Sequence, residues 1–165
     1  MYVDGRYIPE RARNPLVKSP AGGRMLSAVQ LPWFALIPPS GFGVLTTRGR
    51  RTGKIRRRCV RAIRAGDRAY LVAIGGRRSG WLNNALATPE VQLRIRGGTF
   101  SGAIREPRDE AETAAAERTY CDKVNPFDYA ECLMHRRGLP NRAKIVGLHR
   151  EWCEGGTPLV FEVRR

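Results

Sequence analysis

The residues with the clearest chemistry lie in a turn crowded with positive charge. Between Arg48 and Arg68 the sequence carries ten basic residues and a single acid, Asp67. Gly49 and Gly53 lie within this stretch, and glycine lets the backbone approach a ligand closely. Turn amides, a threonine hydroxyl and guanidinium groups all bind phosphate or carboxylate oxygens, and arginine does so with two parallel hydrogen bonds. The stretch therefore predicts an anion site between two strands.

The turn differs from the phosphate-binding loop of nucleotide-binding proteins at two positions. Arg48 stands where that motif has its first glycine, and Ile55 stands where it has Ser or Thr after the lysine, here Lys54. A solvated basic hairpin without a ligand is the plain alternative. It is the weaker one, because ten cations within 21 residues repel one another unless a counter-anion is present.

Other residue patterns that could do chemistry are less specific. Cys132 and His135, and likewise His149 and Cys153, have spacings like those of zinc ligands. The first pair falls in a helix-like segment followed by Pro140, and no further motif supports the site, so we predict no metal. With only two histidines and no nucleophile in a recognisable elbow, we also predict no catalytic side chain.

The composition favours a polyanionic partner. The 165 residues fit one domain, and the net charge of +15 attracts nucleic acid, anionic lipid or a polyanionic cofactor. Nucleic acid is disfavoured because no aromatic residues are interleaved with the basic run. Four cysteines without a C-x-x-C pair, together with the absence of a recognisable signal peptide, predict free thiols and a cytoplasmic protein.

The elements that must position the turn are mostly strands. Alternating or apolar runs predict strands at 42–47, 56–63, 69–74, 91–95, 99–105, 143–152 and 159–163. Helices are predicted from Ser79 through Ala87, at 109–123, and from Asn125 to near Gly138. Because hairpins make most of the connections, the pattern predicts an antiparallel barrel or sandwich with helices.

The N-terminal part has a different character. Residues 1–24 are expected to form an irregular arm, and 24–39 a short apolar helix that Pro32 ends or kinks. We divide the chain into an arm and apolar segment at 1–40 and a cofactor-binding domain at 41–165. The segment with Trp33, Phe34 and Leu36 is expected to pack on the domain, and peripheral contact with a membrane surface is the alternative.

Three segments together resemble the deazaflavin-dependent nitroreductase family of split β-barrel flavin and deazaflavin oxidoreductases. Residues 44–56 read VLTTRGRRTGKIR, similar to the family's L-T-T-x-G-R-K-[ST]-G-x-x-R. Residues 73–76 read AIGG, similar to part of A-S-x-G-G, and 81–91 read WLNNALATPEV, similar to W-Y-x-N-L-x-A-N-P-x-V. Their order and spacing match over roughly residues 40–105.

The resemblance implies a split β-barrel of six or seven strands, an FMN-binding-like roll. It implies coenzyme F-420 as cofactor, a deazaflavin with a phosphodiester and a polyglutamate tail, and hydride transfer to a small-molecule acceptor such as a quinone or nitroaromatic. It also implies a homodimer. An FMN-binding oxidoreductase, and a basic split-barrel protein for nucleic acid or anionic lipid, remain the alternatives.

The resemblance also assigns residues to the site. Tyr129 is the expected substrate contact. Departures from the family pattern at Ile55, Leu82, Arg58 and Arg61 fall on the ring side of the pocket rather than the anion end. The implied cofactor-binding residues are Arg50, Arg51, Thr52, Gly53, Arg56, Arg57, Arg58, Cys59, Val60, Arg61, Ala73, Ile74, Gly75, Gly80, Trp81, Leu82, Asn83 and Asn84.

Overall fold

Six antiparallel strands close into a barrel. The computed structural model describes residues 2–3, 6–7 and 20–164. Around the barrel the strand order is β3-β4-β5-β8-β7-β6, and a separate pair is formed by β1 and β2. The strands are β1 (Tyr2–Val3), β2 (Arg6–Tyr7), β3 (Phe42–Arg48), β4 (Ile55–Ala65), β5 (Arg68–Ala73), β6 (Glu90–Ile95), β7 (Gly98–Arg105) and β8 (Thr157–Val163). The predicted split barrel of six or seven strands is confirmed.

Among the residues that the structure describes, five α-helices accompany the barrel strands. Side chains from every barrel strand fill the interior, among them Leu45, Leu71 and Phe161, each at most 1% exposed. A short 3-10 helix, Gly76–Arg78, precedes the second α-helix. The helices are α1 (Pro20–Leu36), α2 (Gly80–Ala87), α3 (Glu110–Asp122), α4 (Pro126–His135) and α5 (Arg142–Gly155).

The strand predicted at 143–152 is wrong, because this segment forms most of α5. The buried side chains of α5 recur at the spacing of one helix face: Ile145, Leu148, His149, Trp152 and Cys153. Asn141 caps the helix by accepting a hydrogen bond from the Lys144 amide at 2.9 Å. Over the few residues before Gly147 the apolar pattern resembles a strand. The helical spacing becomes visible only when residues up to Cys153 are included.

The helix predicted in the N-terminal segment is longer than the sequence indicated. Helix α1 begins at Pro20 and does not end at Pro32 but continues to Leu36. Within the segment 1–24, β1 and β2 pair, and the expected irregular arm otherwise lies outside the described residues up to Pro20. The division of the chain at residue 40 stays a prediction.

Helix α1 is held against the barrel by aromatic packing. Phe34 of α1, Phe42 of β3 and Phe127 of α4 form a cluster with ring centroids 4.9 to 5.9 Å apart, all in edge-to-face orientation. This geometry is favourable because the positive edge of one ring meets the negative face of the next. The expected packing of the apolar segment on the barrel is therefore observed at Phe34.

A buried ion pair joins the outer face of β4 to the helices. Arg61 and Asp128 are 6% and 1% exposed. The Arg61 guanidinium donates from Nε to Asp128 Oδ1 at 2.9 Å and from Nη2 to Oδ2 at 3.4 Å. It also donates to the carbonyls of Tyr120 and Lys123, both at 2.5 Å, and so satisfies carbonyls at the end of α3.

Asp128 has further partners that keep it ionised. Its Oδ2 accepts from the Asn125 amide at 2.6 Å, and its Oδ1 lies 3.4 Å from His149 Nε2 on α5. Burial raises the pKa of Asp128, but the hydrogen bonds from His149 and Arg61 outweigh this effect and lower it to about 2. The carboxylate thus connects α4 with β4 and α5, and through Arg61 it is linked to the end of α3.

Replacing Asp128 with Asn is expected to destabilise the protein strongly. The change leaves the Arg61 guanidinium buried without its counter-charge, at a cost of about 3–5 kcal/mol in the free energy of unfolding. Urea denaturation at pH 7 measures this cost. The exposed Asp122→Asn serves as the control and should change stability by less than about 0.5 kcal/mol.

The same variant has a pH signature. The Asp128 pKa is depressed in the folded state, so its stabilisation is complete above the ordinary value of 3.8 and is lost as the pH falls toward about 2. Wild-type stability should therefore fall more steeply over this interval than that of Asp128→Asn. Parallel pH dependences for the two proteins would contradict the assignment.

Candidate functional site

The basic turn between β3 and β4 is fixed by its own backbone. The Gly49 amide donates to the Lys54 carbonyl at 2.8 Å, and the Gly53 amide donates to the Gly49 carbonyl at 2.7 Å. Arg48 Nη1 adds a bond of 3.1 Å to the Gly53 carbonyl. Gly53 has a φ of +66°, the left-handed region that glycine adopts without strain. The turn is therefore a preformed loop.

Asn84 connects the basic turn to α2. Its Oδ1 accepts from the Arg50 amide at 3.2 Å and from Arg50 Nη1 at 3.5 Å. Asn83, the preceding residue, donates from Nδ2 to the carbonyls of Arg77 and Ser79, at 2.8 and 3.2 Å. Neighbouring asparagines therefore fix both the turn and the loop that leads into α2. The structure brings these predicted site residues together.

The cations of the turn have no acidic partner within the described part of the chain. Elsewhere, arginines are paired with carboxylates, among them Arg61 with Asp128 and Arg105 with Glu112. The exposed cations of the turn that lack such a pair are Arg50, Arg51, Lys54, Arg56 and Arg57. Their mutual repulsion is relieved only by ions or by a bound anion. The Thr52 hydroxyl lies in the same loop.

One edge of β4 is open beside the turn. Strand β3 pairs with β4 from Ile55 to Arg61, whereas β5 pairs with β4 only from Ala62 to Ala65. Among the described strands, none pairs with the other edge of residues 55–61. Peptide groups along this edge require partners other than a neighbouring strand, which a ligand could supply. We term this unpaired edge of residues 55–61 the opening.

The other predicted ring-binding residues lie at the end of β5 and the start of α2. Ile74 is 48% exposed, an unusual position for a large apolar side chain. Gly75 follows it, and Gly80 and Trp81 begin α2, with Trp81 packed partly against the barrel core. The link between this region and the cations of the turn is the pair of hydrogen bonds from Arg50 to Asn84.

Several predicted residues do not present their side chains to this opening. Val60, Ala73 and Leu82 are buried in the barrel core, so only their backbone atoms are available. The Arg61 side chain is bound to Asp128 beneath the helices. Arg58 and Cys59 are half-buried, and each has an interaction partner. Strand alternation places Val60 and Arg61 on opposite faces of β4, but the sequence does not show that helices cover the face of Arg61.

The residues with zinc-like spacings have other partners. His149 Nδ1 lies 3.2 Å from the Cys121 carbonyl, and its Nε2 faces Asp128. Cys153 lies 3.4 Å from Cys121 between the sulfur atoms. Within the described residues, no group of three or more metal-binding side chains comes together. The prediction of no metal stays a prediction.

The predicted substrate residue lies on α4. Tyr129 is 41% exposed and immediately follows Asp128, the partner of Arg61. The sequence did not reveal this ion pair, because 67 residues separate its members. It fixes the helix that carries Tyr129 to the strand that carries the predicted cofactor residues.

A shallow groove of about 270 Å³ adjoins the basic turn at the same end of the barrel. It runs from Arg48 and Ile55 across β6 and β7. Glu90 on its rim pairs with Arg164, which removes the negative charge that would repel an anion. Sequence reasoning missed this groove because its walls come from strands distant in the chain.

Comparison with known families decides the class. The model of the family described as F420H(2)-dependent quinone reductase matches residues 35–137. The chain belongs to this family. It is accordingly a reductase that uses coenzyme F-420, as the resemblance implied. Among curated proteins, no sequence matches the chain.

Solved structures support the fold of this family member. A structure described as a domain-swapped dimer matches with a TM-score of 0.52 and 17% identity over 84% of this chain and 92% of its own. A heme binding protein from Mycobacterium smegmatis matches with a TM-score of 0.51 and 15% identity, covering 79% of this chain. The chain spans about half, 48%, of that protein's length. At these identities the likeness concerns the fold alone.

The residues of this family member fit its cofactor. The anionic tail and phosphodiester of coenzyme F-420 require several unpaired cations, and the turn supplies Arg50, Arg51, Lys54, Arg56 and Arg57. An added side chain at Gly53 would meet no atom within 4 Å, so the turn is open on that side. The open edge of β4 and exposed Ile74 offer a surface for the ring.

Replacing Asn84 with Ala is expected to loosen the turn without unfolding the barrel. The change removes the acceptor of the Arg50 amide, a bond of about 0.5–1.5 kcal/mol. Hydrogen exchange at the Arg50 amide should accelerate about threefold to tenfold, as measured by NMR. Asn84→Asp, which keeps an acceptor oxygen, should retain slow exchange. Equal exchange in all three proteins would show that Asn84 does not fix the turn.

Proposed function

We propose that the protein transfers a hydride from reduced coenzyme F-420 to a quinone, nitroaromatic or similar small acceptor. The observation that carries the proposal is the cluster of five cations in and after the turn, from Arg50 to Arg57, without acidic partners in the described chain. A cofactor with a phosphate and several carboxylates complements this charge. The family description names quinone as the acceptor.

The chemistry requires no nucleophile from the chain. When bound, the reduced cofactor supplies two electrons as a hydride, and a quinone takes that hydride and one proton from water to become a hydroquinone. The chain's residues bind and orient the reactants, which removes the entropic cost of their encounter. Burial raises the pKa of Tyr120, so its hydroxyl stays protonated and packs within the core.

The residues divide the work along the opening. Arg50, Arg51, Thr52 and Arg56 hold the phosphate and tail, and Asn84 keeps this part of the loop in place. The open edge of β4 offers peptide groups to the ring. Ile74 and Gly75, which directly follow β5, cover the ring. Gly80 to Asn84 complete the pocket, where the helix dipole of α2 also favours anions.

Titration with coenzyme F-420 tests the binding half of the proposal. Its fluorescence should change on binding to the wild-type protein at micromolar concentration. Arg50→Ala combined with Arg56→Ala should weaken binding at least about 100-fold, because each of the two lost charge-assisted contacts contributes about 1.5–3 kcal/mol. FMN and DNA, titrated in parallel, should bind much more weakly.

A matched control separates specific binding from general charge attraction. Arg118→Ala combined with Arg137→Ala removes the same charge from exposed positions on α3 and after α4. This variant should keep the affinity within about twofold. Equal loss in the two double variants would reduce the site to nonspecific electrostatics. Retained FMN or DNA binding without cofactor binding would support the alternatives instead.

Helix α1 supports a second proposal, contact with an anionic membrane surface. Its exposed apolar side chains follow helical spacing and are 63–81% exposed: Met25, Val29, Trp33, Leu36 and the adjoining Ile37. An apolar helix face on a protein of net charge +15 matches the chemistry of an anionic bilayer surface. No helix among the described residues is long and apolar enough to cross a membrane.

Vesicle flotation tests the membrane proposal. Trp33→Ser should reduce binding to vesicles that contain phosphatidylglycerol, because it removes a large apolar side chain from the exposed face. Leu139→Ser, at another exposed apolar position, is the control and should bind like the wild type. Undiminished binding by Trp33→Ser would exclude α1 as the contact. The cytoplasmic location stays a prediction. The homodimer that the resemblance implies also stays a prediction, and sedimentation velocity would test it by measuring the mass of the particle in solution.

A further inference from the structure

A second groove lies at the end of the barrel opposite the basic turn. Its volume is about 230 Å³, large enough for a small oxyanion. It opens between the start of β3, the end of β4 and the loop between α3 and α4. The residues used in the argument are Ser40, Gly41, Arg64, Arg96, Lys123 and Asn125.

A buried amide in this groove has no partner among the described residues. Asn125 is 7% exposed, and its Nδ2 donates no hydrogen bond. Its backbone, in contrast, is fully engaged, since the amide donates to Asp128 Oδ2 and the carbonyl accepts from the Asp128 amide. A buried donor without an acceptor costs about 1–3 kcal/mol, and a ligand oxygen would recover this energy.

Gly41 keeps the amide accessible. A Cβ at position 41 would lie 2.2 Å from Asn125 Nδ2, closer than any real contact. Gly41 also has a φ of +81°, which other residues rarely adopt. The glycine therefore makes room beside the donor, on the side that faces the groove.

Three cations surround the groove, and none of the described residues that line it is acidic. Arg96 Nη1 donates to Ser40 Oγ at 3.0 Å, and Arg64 Nε donates to the Gly66 carbonyl at 3.0 Å. Both guanidinium groups keep further N–H groups available. The Lys123 ammonium pairs with no carboxylate in the described chain. The nearby Asp128 carboxylate is already neutralised by Arg61.

The groove is separate from the proposed cofactor site. Strand β3 runs between them, from Phe42 beside the groove to Arg48 beside the turn. Seven extended residues span roughly 20–25 Å. A small ligand in the groove would therefore be separate from one bound at the turn. Binding in the groove would not depend on the function proposed above.

We propose that this groove binds a phosphate-sized oxyanion, with Asn125 as the buried donor and Arg96, Lys123 and Arg64 supplying charge. The Ser40 hydroxyl, which accepts from Arg96, retains its own proton to donate. Phosphate is favoured over a carboxylate because three cations and two neutral donors exceed what two oxygens can accept.

Two kinds of molecule could supply the phosphate group: a free phosphate compound or a phospholipid headgroup. The groove adjoins the exposed end of α1, since Arg94 Nη2 donates to the Leu36 carbonyl at 3.1 Å and Arg96 binds Ser40 just beyond. A headgroup in the groove would place its acyl chains beside Leu36 and Ile37. The test therefore includes both inorganic phosphate and vesicles with phosphatidic acid.

Titration of the isotope-labelled full chain with inorganic phosphate, followed by NMR at constant ionic strength, tests the proposal. The Asn125 side-chain amide and the Gly41 backbone amide should shift with saturation. Asn125→Asp keeps the helix cap but places a carboxylate in the groove, and should weaken binding at least about tenfold. Lys123→Gln, which leaves the helix cap untouched, should weaken it about threefold to tenfold.

Two controls give the result its meaning. Arg137→Gln changes the net charge by the same amount as Asn125→Asp, away from the groove, and should leave the phosphate affinity within about twofold. Arg50→Ala combined with Arg56→Ala should leave the Asn125 shift unchanged, even if cofactor binding is lost. Equal weakening by Arg137→Gln and Asn125→Asp, or shifts confined to the basic turn, would overturn the proposal.

The vesicle measurement assigns the source of the phosphate. Weaker binding of Asn125→Asp than of Arg137→Gln to phosphatidic acid vesicles would support a lipid headgroup. Vesicle binding that is equal in these two variants, with inorganic phosphate binding lost only in Asn125→Asp, would support a free phosphate compound. Absence of any saturable shift at Asn125 with both probes would overturn the site itself.

Discussion

The buried pair of Arg61 and Asp128 is the interaction on which the arrangement of helices around the barrel depends. A charge in the interior requires a counter-charge and nearly complete hydrogen bonding, and both residues have them. Because the partners of this pair come from β4, α3, α4 and α5, the barrel and three helices are fixed relative to one another. Such a pair adds little net stability but penalises every alternative packing that would separate its members.

Several acidic residues pair with arginines that join the strands to the helices. The cations of the basic turn have no such acidic partners among the described residues. Arg105 forms a bidentate bond with Glu112 and a further bond with Glu162, which joins α3 to β7 and β8. Hydrogen bonds from Arg105 and from the Arg108 amide lower the pKa of Glu112 to about 2, so this carboxylate stays charged at any ordinary pH. Because these acids are paired with arginines elsewhere, they do not neutralise the cations of the basic turn. Part of the net charge of +15 is therefore concentrated at the turn.

Local sequence patterns predict most of the strands and helices. They do not predict contacts between residues that are distant in the chain. The hairpin at Gly97 and Gly98 and the turn at Gly49 to Gly53 were readable because glycine conformation is a local property. Helix α5 was misread, although its buried residues at 145, 148, 149 and 152 follow a helical period and Asn141 precedes them as a cap. The partner of Arg61 was unreadable because it lies on another helix. Sequence therefore predicts the anion end of the site but does not show which β4 side chains face it.

The half-open edge of β4 has a further consequence for how the molecule behaves among its own copies. An unpaired strand edge is a template on which another chain can add a strand, the first step toward amyloid-like association. Arg56 and Arg57 stand on this edge, and charged side chains at an edge oppose such pairing. These two arginines therefore oppose aggregation through the strand edge. A neutralising polyanion would remove that protection unless it also covers the edge.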